Sequence, residues 1–162
     1  MVTTIDRFAN MLDLLANDVL RSLEDVPEER LNAEVAVPEA NSLFAIATHL
    51  LASSKVWTLG AVGGQTLERD RDAEFAATGT IEDLRVDYAT WLSAMHEVLD
   101  GLPDSELARS TGYAPYRDDL FDAEPGVEAM TVAHALVHCI DHMAIHLGHI
   151  QVTRDTLLVG RD

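Results

Sequence analysis

The chain has 162 residues, 48% apolar and 24% charged, which excludes a disordered or low-complexity polypeptide and predicts a single domain over residues 1–162. Its 28 acidic residues against 11 basic ones leave a formal charge of −17, a field that repels phosphate backbones and anionic lipid, so no nucleic-acid and no membrane partner is expected. The uncharged stretch from Asn41 to Ser54 is too short to span a bilayer, MVTTIDRFAN has no basic or apolar leader region, and the single Cys139 rules out an internal disulfide, so a cytoplasmic location is expected.

Four segments have helical periodicity, and no convincing strand pattern appears. The first, from about Thr3 to Leu23, repeats Ile5, Phe8, Leu12, Leu15, Val19 and Leu23 at steps of three and four. Thr3 with Asp6 fits a capping box. Glu24 to Ala40 contains Pro27 and Pro38 and is expected to be a connection. A second helix runs from about Asn41 to Val62, capped by Asn41 or Ser42 and ended by Gly63-Gly64. Its apolar side carries Leu43, Ile46, Leu50 and Trp57. Alanine and serine cover most of the rest, which predicts burial on several sides.

Gln65 to Gly79 is expected to be a loop and holds the dense run Arg69-Asp70-Arg71-Asp72-Ala73-Glu74-Phe75. Thr80 with Asp83 forms a second capping box, opening a third helix to about Asp100. There Leu84, Tyr88, Trp91, Met95, Val98 and Leu102 make the seam of a helical bundle. Pro103 to Gly126, with Tyr113, Tyr116 and Phe121, is a long irregular segment that is expected to cover a site. The fourth helix, from about Val127 to Leu158, is the longest. Four amphipathic helices predict an all-α four-helix bundle with long inter-helix loops.

Histidine is the informative excess, because five of the seven lie between His134 and His149. Imidazoles four apart on a helix converge within reach of one cation. His134/His138, His138/His142 and His142/His146 are candidate pairs, and His146/His149 is an i,i+3 alternative. The full run drifts around the helix, so all four positions of the ladder cannot face one ion. A third ligand must come from another helix. His49, mid-helix among Ile46, Ala47 and Leu50, is the obvious donor, since an unpaired ring there is costly to bury. His96 competes but flanks the third helix's seam, where a partly exposed histidine is the simpler reading. Gly148 suggests close approach of a helix or ligand, and Cys139 reads as an inert packed thiol.

The string His142-Met-Ala-Ile-His146-Leu-Gly148-His149-Ile150 resembles the H-x-x-x-H-x-G-[HQ]-[IA] segment in the last helix of the DinB-like (YfiT-type) superfamily. His49 stands in HLLASSKVW, which is similar to that family's second helix, with an aromatic eight residues on. The Arg69–Phe75 run resembles the family's polar segment ending in Glu-Phe. The likeness extends from Ile5 to Leu158. It implies a bundle with up-down-down-up connectivity, a homodimer, and a divalent metal held by three histidines that map onto His49, His142 and His146.

Members of this family with assigned activity include thiol-dependent S-transferases and isomerases using mycothiol or bacillithiol. The resemblance therefore implies a metal-dependent thiol transferase, with a low-molecular-weight thiol and a small electrophile as substrates. A hydrolase using metal-activated water and a non-catalytic metal-binding stress protein are the alternatives. The mycothiol-dependent maleylpyruvate isomerases carry a further C-terminal domain, whereas this sequence stops at Asp162, so their substrate is not implied. Three imidazoles suit zinc, nickel, iron or manganese alike. The sequence identifies no general base, and the catalytic residues are unknown at this level. The Arg69–Phe75 run and the Pro103–Gly126 loop are the expected pocket rim.

Overall fold

The computed structural model describes residues 2–35, 40–112 and 130–158, and these are all-helical. Among them no strand forms, and an isolated antiparallel bridge joins Ser110 to Thr131. Helix α1 (Thr4–Leu23) begins at the expected capping box: Asp6 N–H donates to Thr3 Oγ1 at 3.0 Å, and Thr3 N–H donates to Asp6 Oδ2 at 2.6 Å. Its buried stripe is Ile5, Ala9, Leu12, Leu15, Ala16, Val19 and Leu23. The connection that follows contains a one-turn helix, α2 (Glu28–Leu31), behind Pro27. Pro38 lies outside the described residues.

The expected second helix divides in two. Helix α3 (Leu43–Lys55) is capped by Ser42, whose hydroxyl accepts from Ala45 N–H at 3.1 Å, and it is buried on most sides. From Val56 to Val62 the chain continues as a π-helix. Thr58 bonds back to the Ser54 carbonyl at 2.7 Å, a side-chain bond that competes with the backbone ladder where the helix widens. Gly64, at φ +71°, ends the run.

Gln65 to Gly79 is not a plain loop. It contains helix α4 (Arg71–Phe75), capped by the Asp70 carboxylate, which accepts from Ala73 N–H at 3.0 Å. Helix α5 (Ile81–Leu99) opens at the Thr80–Asp83 box and buries Leu84, Tyr88, Trp91, Met95 and Leu99, while Val98 and Leu102 are only partly buried. Asp104 starts a 3₁₀ turn (Asp104–Ala108) and accepts from Thr4 N–H at 2.9 Å and Ile5 N–H at 3.1 Å, so a distant carboxylate satisfies the first amides of α1. Tyr113, Tyr116 and Phe121 lie outside the described residues. Helix α6 (Val132–Leu158) begins five residues after the expected Val127, which also lies outside them.

Helix α1 packs on α5 and α6, and α3 packs on α5, α6 and α4. The π-helical segment lies against α5 and α6. The four long helices share one continuous apolar core. Among the described residues, no helix is long and apolar enough to cross a membrane.

Candidate metal centre

Packing of α3 against α6 brings His49 opposite His142 and His146. One ligand nitrogen from each ring lies within 4.8 Å of the other two. The ring centroids are 5.4 Å apart for His49 and His142, 5.2 Å for His49 and His146, and 4.5 Å for His142 and His146. Of the pairs that the spacing left open, His142/His146 is the one facing His49. Among the described residues this is the cluster of three that can hold a metal ion.

The three rings are neutral at physiological pH. Burial holds His142 down to about 3 and His146 down to about 4, helped by the neighbouring imidazoles. His49 is also lowered: burial outweighs the opposing hydrogen bond and charge of Glu74. A metal takes imidazole in its neutral form, so this environment prepares the donors. His146 Nδ1 is buried with no hydrogen-bond partner among the described residues. An unpartnered buried ring nitrogen is unfavourable, and a donor set short of one acceptor is what a cation corrects. The residues present therefore fit a divalent metal.

The segment between Arg69 and Phe75 supports His49. Glu74 is buried, and its Oε2 lies 2.9 Å from His49 Nδ1. Arg69 donates from Nε to Glu74 Oε1 at 2.6 Å and from Nη2 to Oε2 at 2.9 Å. These bonds hold the Glu74 carboxyl below the usual carboxylate range against the opposing effect of burial. Phe75 stacks on the His49 ring at 4.6 Å and 23°, and the Arg71 guanidinium sits over the Phe75 ring at 5.8 Å. Arg69, Asp70 and Glu74 of the expected rim, with Leu51 and Lys55 of α3, line a cleft of about 360 Å³ whose lining includes none of the three histidines. Of the expected Pro103–Gly126 rim, residues 103–112 do not line this cleft, and residues 113–126 lie outside the described residues.

Sequence reasoning assigned this run to the rim and missed Glu74 as the partner of His49. Its acidic composition is that of a solvated segment. The available signal was the Glu74-Phe75 pair closing a short helical turn capped by Asp70.

The remaining histidines have other roles. His138 is half-buried, edge-on to Trp57 at 4.5 Å and stacked on His142 at 6.0 Å, so it adjoins the centre without belonging to the triad. His134 is exposed in the first turn of α6, where its N–H donates to Thr131 Oγ1 at 3.3 Å. His149 is exposed beside His146 at 5.9 Å. His96 bridges helices: Nε2 lies 3.0 Å from Asp13 of α1, and Nδ1 lies 3.1 Å from Asp100. Gly148 does not mark a close approach, because among the described residues nothing lies within 4 Å of a Cβ placed there. Burial pushes the Cys139 thiol up to about 12, which leaves it inert at neutral pH.

A family model described as the DinB superfamily matches residues 11–150. A solved structure described as a conserved protein of locus from Enterococcus faecalis is similar over 98% of this chain and 99% of that one, with a TM-score of 0.71 at 12% identity, a likeness of fold. No curated protein matches. A full-length likeness of fold, a family match over most of the chain and a histidine triad built from two facing helices converge on one assignment: the chain belongs to the DinB superfamily.

Proposed function

We propose that His49, His142 and His146 ligate one divalent metal and that the protein is a metal-dependent thiol S-transferase acting on a small electrophile. The observation that carries the metal reading is the convergence of three neutral imidazoles from two helices, within 4.8 Å of one another. Three protein ligands are the pattern of a centre with an open position, whereas structural sites close with four. When bound, the metal supplies a Lewis acid that lowers the pKa of a coordinated thiol or water. Burial keeps the three histidines unprotonated, Glu74 and Phe75 orient His49, and the Trp57–His138 pair adds an aromatic flank beside His142. The thiol class rests on family likeness, which favours it over water as the nucleophile.

The same reading takes the chain as one four-helix-bundle domain with up-down-down-up connectivity, and contacts between the helices support it. Thr4 meets Asp104 and Asp13 meets His96, which runs α1 against α5. Arg154 Nη1 donates to the Ser22 carbonyl at 3.4 Å, which runs α6 along α1. His49 and Trp57 meet His142 and His138 in reverse order, which runs α3 against α6. The test is metal analysis of protein purified without a histidine tag, followed by turnover with a panel of low-molecular-weight thiols. Thiol-dependent consumption of an electrophile supports the transferase. Thiol-independent hydrolysis supports the hydrolase, and tight metal binding without turnover supports a metal-binding protein without catalysis.

A further inference from the structure

Resting on the metal reading above, we propose that Glu74, clamped by Arg69, is a positioning residue that fixes His49 as its Nδ1–H tautomer and so aims the Nε2 lone pair at the metal. A neutral imidazole carries one proton, and the partner at each ring nitrogen decides where it sits. Two groups approach His49 Nδ1. The Glu74 carboxylate oxygen is 2.9 Å away and can only accept, while Arg69 Nη2 is 3.4 Å away and can only donate. The shorter contact wins, because a buried carboxylate facing a bare nitrogen lone pair would be repulsive. Nδ1 therefore carries the hydrogen, and Nε2 is left as the donor atom.

Arg69 makes this arrangement rigid. Its two bonds engage both oxygens of Glu74, so the carboxylate cannot rotate away from His49. The Arg69–Glu74 pair is charge-balanced, which offsets the desolvation of a carboxylate that is only 6% exposed. Phe75, the next residue, covers one face of the same ring. One five-residue helix thus sets both the tautomer and the tilt of a ligand carried on another helix. The alternative role for the contact is to pin α4 to α3 without influencing the donor atom.

The experiment compares wild type with Glu74→Gln. It measures zinc affinity by chelator competition, the melting midpoint of the metal-free protein, and the ¹⁵N shifts of the His49 ring without metal. An amide cannot satisfy His49 and both Arg69 donors together, so one repulsive donor pair appears in either orientation. In wild type the His49 ring is expected as the Nδ1–H form. In Glu74→Gln, zinc affinity of the folded protein is expected to fall by about ten- to a hundredfold. If Glu74→Gln does not fold, Arg69→Lys carries the test, since it keeps the charge and loses the two-point grip. A wild-type Nε2–H tautomer, or variant zinc affinity within about twofold of wild type, overturns the proposal. Failure of wild type itself to bind zinc overturns the underlying metal reading instead, which makes the two failures distinguishable.

Discussion

Each histidine in the cluster has a distinct expected phenotype. His49→Ala, His142→Ala and His146→Ala each remove one of three convergent donors and should abolish zinc binding, a larger effect than the about hundredfold loss typical of a missing supporting partner. His96→Ala and His138→Ala should retain zinc, because the first bridges Asp13 and Asp100 and the second stacks beside the triad without joining it. Loss of zinc in His138→Ala with retention in His142→Ala would shift the site by one turn. Proton competition follows from the same burial. Ordinary imidazoles would release the metal below about pH 6. With all three imidazoles lowered, His142 to about 3 and His146 to about 4, zinc release should move to a lower pH than that. Between 6.5 and those values the unfolded chain holds more protons at these positions than the folded one. The stability present at pH 7 is therefore lost as the pH falls, and the melting midpoint of metal-free protein should drop between pH 7 and pH 5. An unchanged midpoint would contradict the neutral buried triad. His96 runs the other way: the carboxylates of Asp100 and Asp13 raise it, so its contribution fades as the pH rises, and its partial exposure keeps that contribution small.

The π-helical segment and α6 carry the predictions at the level of elements. Trp91 Nε1 donates to Thr58 Oγ1 at 2.9 Å, with both groups buried, and this bond ties the π-helix to α5. Thr58→Val keeps the shape and strands the indole N–H, which should cost about 1–3 kcal/mol in denaturant unfolding. A change inside experimental error would mean that the bond is redundant. Gly148 sits inside α6 with open space at its Cβ position. Gly148→Ala should therefore raise stability by up to about 1 kcal/mol, read as a higher melting midpoint. A fall instead would place an unseen neighbour against that turn.

Charge and exposed apolar surface govern the molecule as a whole. A −17 chain repels itself at low ionic strength, so any self-association must bury enough apolar surface to overcome that repulsion. Large apolar side chains remain exposed on α1 at Met11 and Leu14 and on α6 at Val137, Ile145 and Val152, the last three spaced eight and seven apart along one stripe. We expect a homodimer that uses this surface, strengthened by salt. Light scattering should give twice the chain mass for wild type and the single mass for Ile145→Asp. A wild-type monomer at micromolar concentration would contradict it.

Local rules were enough for the caps and apolar stripes of the long helices. The Thr3–Asp6 and Thr80–Asp83 caps, the stripe of α1 and the seam of α5 were legible, because capping and amphipathic periodicity act within a turn or two. The helical spacing of His142 and His146 was legible for the same reason, but three pairs shared it, with His146/His149 as an i,i+3 alternative, and only family likeness singled out this one. The choice among pairs belonged to the packing of α3 on α6, since the rotation of one helix against another depends on every side chain in the shared core. Glu74 was hidden for a related reason. Its composition places it in water, and it is buried because a five-residue helix folds back onto α3, with Arg69 just ahead of that helix balancing its charge. The bond that ties the π-helical turn to α5 was hidden too, because Trp91 is a partner 33 residues from Thr58 that no local pattern could show.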